Sequence, residues 1–481
     1  MRGERSLAAA MAAGAAALAL AAVPVAAAGP PVTAPRAGAA AGLSPRELAT
    51  AVPITPDWRH AARVSASQPP ITAKCERQFR IACYQPAQLR QAYGLPALLR
   101  SGITGKGQTI VIVDSFGSPT VRHDLAVFDR TFHLPAPPSL KVIQPAGAVP
   151  RYRATSNREG WAGETELDVE WAHVMAPGAR IVLAETPTSE NEGTTGFPQI
   201  VTAEKNVIRR HLGGIISQSF SATEQTFPSR RAVLALRSAY VAAARAGVTV
   251  LAASGDSGAT DLQFNGTTYY LHPVTSWPDS DPLVTGVGGT QLTLRPSGHR
   301  TAPDQVWNDT FDKAANRFIN GGDGPNPLAS GGGRSVFFHR PGYQDSVQPV
   351  VGGQRGVPDI AMSASCSGAV DMYQSYPGQA AGWYPTCGTS EATPLFAGIV
   401  ALAGQVAGHP LGLINPRLYA LAAHHSPGIT DITGGNNTVS FTQNGLHTVT
   451  GFNAGPGYDL ASGLGTVNAP VFVADLAGGR P

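Results

Sequence analysis

Short apolar runs alternate with segments of helical periodicity through the middle of the chain. The runs are rich in Val, Ile and Leu and carry few polar positions, which is typical of buried strands of a parallel sheet. The predicted strands cover residues 109–114, 180–184, 214–219 and 248–253. The predicted helices cover about 160–174, 197–211 and 230–246. Strands that alternate with helices indicate an α/β fold, a mostly parallel sheet with helices on both faces.

Two other segments lack this periodicity. Residues 261–355 are rich in glycine and predict loops with short hairpins that wall a cleft. Residues 431–468 are dense in Gly, Asn and Asp and predict ordered loops.

An apolar run at 399–403 follows the stretch Gly388-Thr389-Ser390, with Pro394 four residues past the serine. The pattern predicts a tight turn that enters a buried helix, with Pro394 in its first turn, where proline is tolerated. Ser390 would then lie beside the backbone donors and the positive dipole end of that helix. The alternative is that Ser390 only caps the helix.

Composition limits the classes of function. The 481 residues are 43% hydrophobic and 14% charged, which is enough apolar material for a large core. The net charge of +3 is small and scattered, and no basic cluster with interleaved aromatic residues occurs. We therefore expect no binding to nucleic acid. Separately, we expect a monomer.

The amino terminus has the pattern of a secretory signal. Polar and basic residues 1–5 precede an Ala- and Leu-rich run that ends in small residues, which predicts a signal peptide at 1–28. A retained membrane anchor is the alternative, but the run is only weakly apolar. Residues 29–82 are predicted to be a linker or a short pro-segment. No other stretch is apolar enough to span a bilayer, so we expect a secreted, extracellular protein without membrane contact after signal cleavage.

Four cysteines occur, as two pairs that are close in sequence: Cys75 with Cys83, and Cys366 with Cys387. Export permits disulfides, and local pairing gives two bridges, although four cysteines allow three connectivities. Zinc is disfavoured because no Cys-x-x-Cys motif or histidine cluster accompanies them.

A serine nucleophile needs a base. Asp114 at a strand end is a candidate for the aspartate of a subtilisin-type Asp-His-Ser set. None of the 12 histidines stands in the His-Gly-Thr setting of those enzymes, and His123 is interpreted as a surface residue. The sequence therefore points to carboxyl groups as the source of the base.

Glu164 and Asp168 are four residues apart in a predicted helix and share one face. Two close carboxyl groups raise one pKa well above the ordinary value of about 4. Glu166 and Glu170 point away from that face. The alternative interpretation is a solvated, charged helix face.

Asp256 follows the predicted strand 248–253, at the edge where open α/β sheets bind ligands. A protonated carboxyl group there has one O–H to donate to an oxyanion. The alternative is a residue of an Asx turn.

The three motifs together are specific. Gly163-Glu-x-x-Leu-Asp168, Ser254-Gly-Asp-Ser-Gly258 and Gly388-Thr-Ser-x-x-x-Pro394, in this order, resemble the sedolisin family of serine-carboxyl peptidases. The likeness runs from about residue 84 to 469 and includes further segments at 105–114, 284–289 and 356–361. It implies a peptidase domain at 83–475 with a subtilisin-like fold, and hydrolysis of peptide bonds in proteins at acidic pH.

The resemblance also implies roles. Ser390 is the nucleophile, Glu164 is the general base and acid, and Asp168 orients Glu164. Asp256 takes the oxyanion role. Glu164 must accept a proton while Asp256 still holds one, so activity is expected below neutral pH.

The tail matches the family's calcium site. The implied ligands are the carboxylates of Asp431 and Asp459 and the backbone carbonyls of Ile432, Gly455 and Gly457, a hard oxygen shell that suits one structural Ca²⁺.

Two departures from the family accompany the match. Too few residues lie between the predicted signal and Cys75 for the long folded pro-domain of many members, so we expect that it is lacking. Cys387 stands where the family has a small residue. A Cys366–Cys387 bridge would brace the turn before Ser390 or, if strained, displace it.

Two alternatives to an acid endopeptidase remain: a subtilisin-type protease of neutral pH, and an inactive peptidase fold that only binds. Release of N-terminal tripeptides also occurs in the family.

Overall fold

A computed structural model describes residues 63–479. The predicted signal peptide at 1–28 and residues 29–62 of the predicted linker lie outside the described residues. The helices are α1 (Thr72–Phe79), α2 (Pro86–Ala92), α3 (Leu95–Arg100), α4 (Val121–Phe132), α5 (Ser156–Met175), α6 (Phe197–Arg209), α7 (Arg230–Leu236), α8 (Ser238–Ala246), α9 (Lys313–Asn320), α10 (Gln348–Val351), α11 (Thr389–Ala407), α12 (Asn415–Ala423) and α13 (Ala469–Leu476). Within residues 63–479, no helix combines the length and apolarity that crossing a membrane requires.

The strands are β1 (Ala82–Tyr84), β2 (Thr109–Ser115), β3 (Leu140–Ile143), β4 (Arg180–Thr186), β5 (Ile215–Gln218), β6 (Ala222–Thr223), β7 (Thr249–Ala253), β8 (Ser276–Trp277), β9 (Thr285–Gln291), β10 (Gln305–Val306), β11 (Gly333–His339), β12 (Gln354–Val357), β13 (Ile360–Ser363), β14 (Gly368–Gln374), β15 (Gly382–Thr386), β16 (Ile429–Thr430), β17 (Val439–Thr442), β18 (Leu446–Val449) and β19 (Thr466–Val467).

An eight-stranded sheet forms the centre of the domain. Its order is β10-β9-β7-β5-β2-β4-β3, and β13 also pairs with β9. Every pair in it is parallel except β10–β9. The four strands predicted from the apolar runs are β2, β4, β5 and β7, so the predicted mostly parallel sheet is confirmed.

Alternating side chains of β2 enter two different cores. Ile110 and Ile112 belong to the core that also contains residues of α5 and α11, whereas Val111 and Val113 pack with residues of α6 and α8. Because successive side chains of a strand point to opposite faces, helices cover both faces of the sheet.

The topology brings the ends of three strands together. From β2 the chain first builds β3 and β4 on one side and then β5, β7 and β9 on the other. The direction of strand order reverses at β2, and ligands of open α/β sheets bind at the carboxyl ends of strands beside such a point. The residues that follow β2, β5 and β7 therefore lie at one edge.

Helices α5 and α11 are in close contact on one face of the sheet. A Cβ atom at Gly398 of α11 would lie 2.4 Å from the Cβ of Met175 in α5. The absence of a side chain at Gly398 thus allows the helix that carries Glu164 and Asp168 to pack closely on the helix that carries Ser390.

Two predicted elements differ in detail from those in the structure. The helix predicted at 230–246 is broken into α7 and α8 at Arg237, whose guanidinium makes a bidentate ion pair with Asp281 (2.8 Å for both contacts). The loops predicted at 431–468 contain the hairpin of β17 and β18.

The prediction for 261–355 was wrong in one respect, since this segment contains β9, a buried strand of the central sheet. The sequence of β9 is Thr-Gly-Val-Gly-Gly-Thr-Gln, and its glycines obscured the strand pattern because they supply no apolar side chains.

The ordered domain begins before residue 83, where the sequence placed its boundary. Helix α1 lies within the predicted linker, and its Cys75 is bonded to Cys83. The second bridge joins Cys366 to Cys387. Both predicted local pairings are confirmed.

Candidate active site

Ser390 lies in the first turn of α11, beside Asp256. The Thr389 N–H and hydroxyl both donate to Asp256 Oδ1, at 2.7 and 2.6 Å. Gly388 has a φ of +126°, and a Cβ atom there would lie 2.5 Å from Asp256 Oδ2. Glycine at 388 therefore provides both the turn and the space that Asp256 occupies. The Cys366–Cys387 bridge does not disturb these Asp256 contacts.

The N-cap of α11 is Gly388, and Ser390 does not cap the helix. Pro394 lies in the second turn of α11, so its predicted place in the first turn was wrong because the helix begins earlier, at Thr389. Pro394 has no N–H to donate to the Ser390 carbonyl, its i−4 position. The Ser219 hydroxyl lies 3.3 Å from that carbonyl oxygen instead.

Glu164 is buried in α5 next to Ser390. Neither of its carboxyl oxygens makes a hydrogen bond of normal geometry within residues 63–479. Burial raises the pKa of Glu164 well above its ordinary range, and the charges of Asp114 and Asp256 raise it further. The nearby hydroxyls of Ser390 and Ser219 act in the opposite direction and lower this pKa. Hydrogen bonds of catalytic groups are often long in the absence of substrate.

Asp168 lies one turn further along α5. Its Oδ1 accepts a 2.8 Å hydrogen bond from the Ser219 hydroxyl, while Oδ2 has no partner in the described part of the chain. Burial raises the pKa of Asp168 well above its ordinary range, and the neighbouring charges of Asp114 and Glu164 add to this rise.

Asp114, at the carboxyl end of β2, is the third member of this acidic cluster. Its Oδ2 accepts a 3.0 Å hydrogen bond from the Thr165 hydroxyl, and burial raises the pKa of Asp114 to about 7. In the subtilisin-type alternative, Asp114 is the partner of a histidine. The structure instead places Asp114 next to carboxyl groups.

Glu166 and Glu170 are buried too, so a solvated helix face is contradicted for α5. Glu166 accepts a 2.5 Å hydrogen bond from the Ser118 hydroxyl, and Glu170 accepts one from the Tyr373 N–H at 3.1 Å. They point away from the Glu164 face, as predicted, but other elements cover them there.

A pocket opens beside Ser390. It contains roughly 520 Å³ of empty space, a volume that includes open solvent at its mouth. Its walls are residues of three strand ends and loops: Glu190, Glu192, Ser219, Phe220, Ser221, Ala253, Gly255, Asp256, Ser257, Asp261, Leu262, Thr389 and Ser390. Ser390 itself is 7% exposed.

No histidine occurs among the described residues that line this pocket. The His123 side chain is 63% exposed and contacts Asp124, which agrees with its interpretation as a surface residue. The four predicted catalytic residues are thus brought together without an imidazole at the pocket.

Sequence reasoning missed Ser219, which connects Asp168 to the backbone of Ser390. The only signal was its place at the end of the predicted strand 214–219. Its two partners are far away in sequence, so no local pattern could have identified them.

The five predicted calcium ligands also lie close together. The Gly457 N–H donates to Asp431 Oδ2 at 2.8 Å, and the Gly455 N–H donates to Asp459 Oδ2 at 3.3 Å. Within residues 63–479, no donor contacts the carbonyl oxygens of Ile432, Gly455 or Gly457. The same part of the chain contains no group of three or more His, Cys, Asp or Glu side chains that could hold a metal ion; the predicted site has only two.

Comparison with known proteins identifies relatives, although no protein-family model matches the chain. Kumamolisin of Bacillus sp. (strain MN-32) is 32% identical over 389 residues, which are 80% of this chain and 62% of kumamolisin. Sedolisin of Pseudomonas sp. (strain 101) is 27% identical over 373 residues, 76% of this chain and 57% of sedolisin. A solved structure of Pseudomonas sedolisin, a serine-carboxyl proteinase complexed with pseudo-iodotyrostatin, matches with a TM-score of 0.68 and 24% identity. It covers 82% of this chain and 98% of that one.

The chain belongs to the sedolisin family. Its central sheet and helices have the subtilisin-like sedolisin fold. Tripeptidyl-peptidase 1 of Bos taurus is a further sedolisin relative, 28% identical over 415 residues, 81% of this chain and 64% of that protein. The chain thus spans less than two thirds of the length of these curated sedolisin relatives.

Proposed function

We propose that this chain is a secreted serine-carboxyl endopeptidase that hydrolyses proteins at acidic pH. One observation carries the proposal. Ser390 lines a pocket and lies beside the buried carboxyl of Glu164, and the carboxyl of Asp256, which is fixed to Thr389, lines the same pocket. A serine with a base on one side and a donor on the other has the parts that acyl transfer requires.

In the first step, the Ser390 oxygen attacks the scissile carbonyl carbon while the hydroxyl proton passes to the Glu164 carboxylate. The same proton then passes from Glu164 to the leaving amine, which breaks the C–N bond and leaves an acyl ester on Ser390. A water molecule repeats the sequence, with Glu164 again as base and then as acid, and the ester is hydrolysed.

Asp256 serves the developing oxyanion. Its Oδ1 accepts both Thr389 hydrogen bonds, which fix the carboxyl beside Ser390. In its protonated form this carboxyl would donate its O–H to the oxyanion. A protonated carboxyl group aimed at the position of the oxyanion stabilises charge that exists only during the reaction.

The neighbouring carboxyls of Asp114 and Asp168 increase the basicity of Glu164. Burial and the charge of Asp114 raise the pKa of Glu164, which makes it a stronger base than a solvated glutamate. Asp168 carries the hydrogen bond from Ser219 and neighbours both Glu164 and Asp114. We infer that Asp168 orients Glu164 and shares its proton, so that the two carboxyls titrate together.

Secretion is supported by the two disulfides, which persist in oxidising compartments, and by the predicted signal at 1–28.

Hydrolysis of an N-acetylated peptide and of an unfolded protein, between pH 3 and pH 8, tests the proposal. We expect internal cleavage below neutral pH by the wild type and a loss of about 10³-fold or more in Ser390→Ala. Hydrolysis only from free N-termini would instead indicate a tripeptidyl-peptidase. No hydrolysis at any pH, with calcium present, would favour the inactive binding fold.

We also propose one structural calcium ion in the C-terminal region. The donor set fits this ion in kind, because two carboxylates and three carbonyl oxygens that accept no hydrogen bond within the described chain are hard ligands. Asp459 also accepts from Gly455, Ala461 and Ser462, and these contacts hold its carboxylate in place. Asp431, Asp459 and the carbonyls of Ile432, Gly455 and Gly457 would hold it and so join the loop at 455–457 to the end of β16.

Removal of calcium is expected to destabilise the fold. A chelator should lower the melting temperature of the wild type by several degrees, since an ion that binds only the folded state stabilises it by mass action. The Asp431→Asn variant should show a lower melting temperature and a smaller response to the chelator. Equal melting curves of the wild type with calcium and with chelator would contradict the site.

A further inference from the structure

Ser219 joins the acidic pair on α5 to the helix that carries the nucleophile. It follows β5 directly, is 4% exposed and lines the pocket beside Ser390. Its hydroxyl lies 2.8 Å from Asp168 Oδ1 and 3.3 Å from the carbonyl oxygen of Ser390. One side chain thus contacts both the acidic pair and the main chain of the nucleophile, although no step proposed above involves it.

The carboxyl group of Asp168 depends on this hydroxyl for its orientation. Asp168 is completely buried. Within residues 63–479 its Oδ2 has no hydrogen-bond partner, and its Oδ1 accepts from the Ser219 hydroxyl alone. A buried carboxyl group without any hydrogen bond costs free energy and has no donor to fix its direction. Loss of the hydroxyl would therefore leave Asp168 unfixed beside Glu164.

The second contact of the hydroxyl lies at the first turn of α11. The Ser390 carbonyl lacks its usual helical donor, because the residue four positions further on is Pro394, which has no N–H. The Ser219 hydroxyl has one proton, which it shares between this carbonyl and the closer oxygen of Asp168. The position of Asp168 is thereby linked to the backbone that carries the nucleophile.

Ser219 also favours the ionised form of both acids of the pair. Burial raises the pKa of Glu164 and of Asp168, and neighbouring charges raise both further. The Ser219 hydroxyl lowers both pKa values, because a donor stabilises a carboxylate. Without the hydroxyl, the pair would hold its proton up to a higher pH. The carboxyl groups that other elements bring to the pair are Asp114 at the end of β2, Asp256 after β7 and, facing Glu164, Glu190 after β4.

We propose that Ser219 is a positioning residue, which holds Asp168 in place so that Glu164 accepts the proton of the nucleophile. This inference rests on the proposed peptidase function and adds a residue to its site. Ser219 forms no bond to substrate and keeps its own proton throughout the reaction. It acts through the geometry of its two contacts, and a misplacement of about 1 Å among catalytic groups costs about 10²-fold in rate.

Removal of the hydroxyl in Ser219→Ala tests this inference on one N-acetylated peptide. We expect kcat to fall by about 10- to 100-fold, with KM within about 3-fold of the wild type. The ratio of kcat at pH 5 to kcat at pH 3 should rise at least about 3-fold, because Glu164 must be ionised to act as the base. Ser219→Thr keeps the hydroxyl and should restore both values to within about 3-fold of the wild type.

The matched control is Ser217→Ala, the same change two residues earlier in the chain. Ser217 lies in β5, is completely buried and does not line the pocket. Its hydroxyl has no hydrogen-bond partner within the described chain. Its kcat and its pH ratio should therefore equal those of the wild type. An equal loss in both alanine variants would mean that damage to β5 is the cause, and would overturn the inference.

Three further results would overturn the inference while leaving the peptidase proposal intact. These are a kcat and a pH ratio of Ser219→Ala equal to those of the wild type, a rise in KM with unchanged kcat, and a loss that Ser219→Thr does not reverse. If Ser219→Ala fails to fold, Ser219→Cys, which has nearly the shape of serine and a weaker donor, takes its place.

A measurement without turnover separates this inference from the peptidase proposal, which fails if the wild type cleaves no peptide. Carbon-13 NMR of Ser390→Ala follows the side-chain carboxyl signal of Asp168, identified by its absence from Asp168→Asn. Titration of this signal at a higher pH after addition of Ser219→Ala supports the role of Ser219, and an unchanged titration refutes it.

Discussion

Replacement of Glu164 by glutamine will lower kcat/KM by about 10³-fold or more, with the fold and the melting temperature at acidic pH retained. Glutamine keeps the size of the side chain but cannot take the Ser390 proton, and loss of a general base costs 10²- to 10⁴-fold or more in other enzymes. Initial rates on one N-acetylated peptide at the pH optimum give the comparison.

Glu170→Gln is the matched control for the Glu164→Gln prediction. Glu170 lies on the same helix, is equally buried and has a pKa raised by burial, but it contacts the Tyr373 N–H and no group at Ser390. Its kcat/KM should remain within about 3-fold of the wild type. An equal loss in both variants would mean that the effect comes from damage to α5.

The folded chain will be most stable at acidic pH and will lose stability as the pH approaches and passes neutrality. Burial raises the pKa of both Asp114 and Glu224 to about 7. A group whose pKa is higher in the folded state stabilises that state fully below the unfolded pKa of about 4, and this stabilisation is lost as the pH rises through the folded pKa.

Other buried carboxyls act in the same direction, because burial raises their pKa values well above the ordinary range. These groups are Glu164, Glu166, Asp168, Glu170, Glu190, Glu192, Glu204, Asp279, Asp371 and Glu391. We expect a melting temperature at pH 8 at least roughly 10 °C below that at pH 4. Circular dichroism of Ser390→Ala, which prevents self-digestion, gives the measurement.

Asp371→Asn in the Ser390→Ala background tests the cause. Both carboxyl oxygens of Asp371 are buried and make no hydrogen bond of normal geometry within residues 63–479, and the nearby Gln85 side chain offsets only part of the rise in its pKa. A neutral isostere removes the charge that forms there at high pH, so the fall in melting temperature between pH 4 and pH 8 should become smaller. A melting temperature that is constant or rises over this range would contradict the explanation.

The sheet was predictable because its strands are local patterns. The apolar run at 109–114 needs both faces covered, and that requirement alone indicates a parallel strand. The glycine-rich β9 carries no such signal, and its place in the sheet depends on the neighbouring strands. The break at Arg237 coincides with an ion pair to Asp281, 44 residues away, which no local pattern predicts.

The residues of the candidate site that stand within single sequence motifs could be predicted. The spacing of Glu164 and Asp168 defines a shared helix face, and Asp256 follows a predicted strand. Burial of that face is not a local property, since it depends on α11 packing against α5.

The remaining parts of the site are long-range contacts. Ser219 reaches Asp168 from a different strand end, and Glu190 reaches the pocket from a loop after β4. Neither residue stands in a motif, so only the assembled fold reveals them.

The central claim is that carboxyl groups, without an imidazole, move the proton of Ser390. The pH profile of kcat/KM for the wild type and Glu164→Gln on one N-acetylated peptide tests it most directly. We expect the wild-type profile to have its maximum below neutral pH and to decline toward pH 8. At every pH, kcat/KM of Glu164→Gln should be lower than that of the wild type by about 10³-fold or more. A profile that rises through pH 6.5–7 to a plateau at pH 8, with full turnover by Glu164→Gln, would show that a histidine is the base and would contradict the claim.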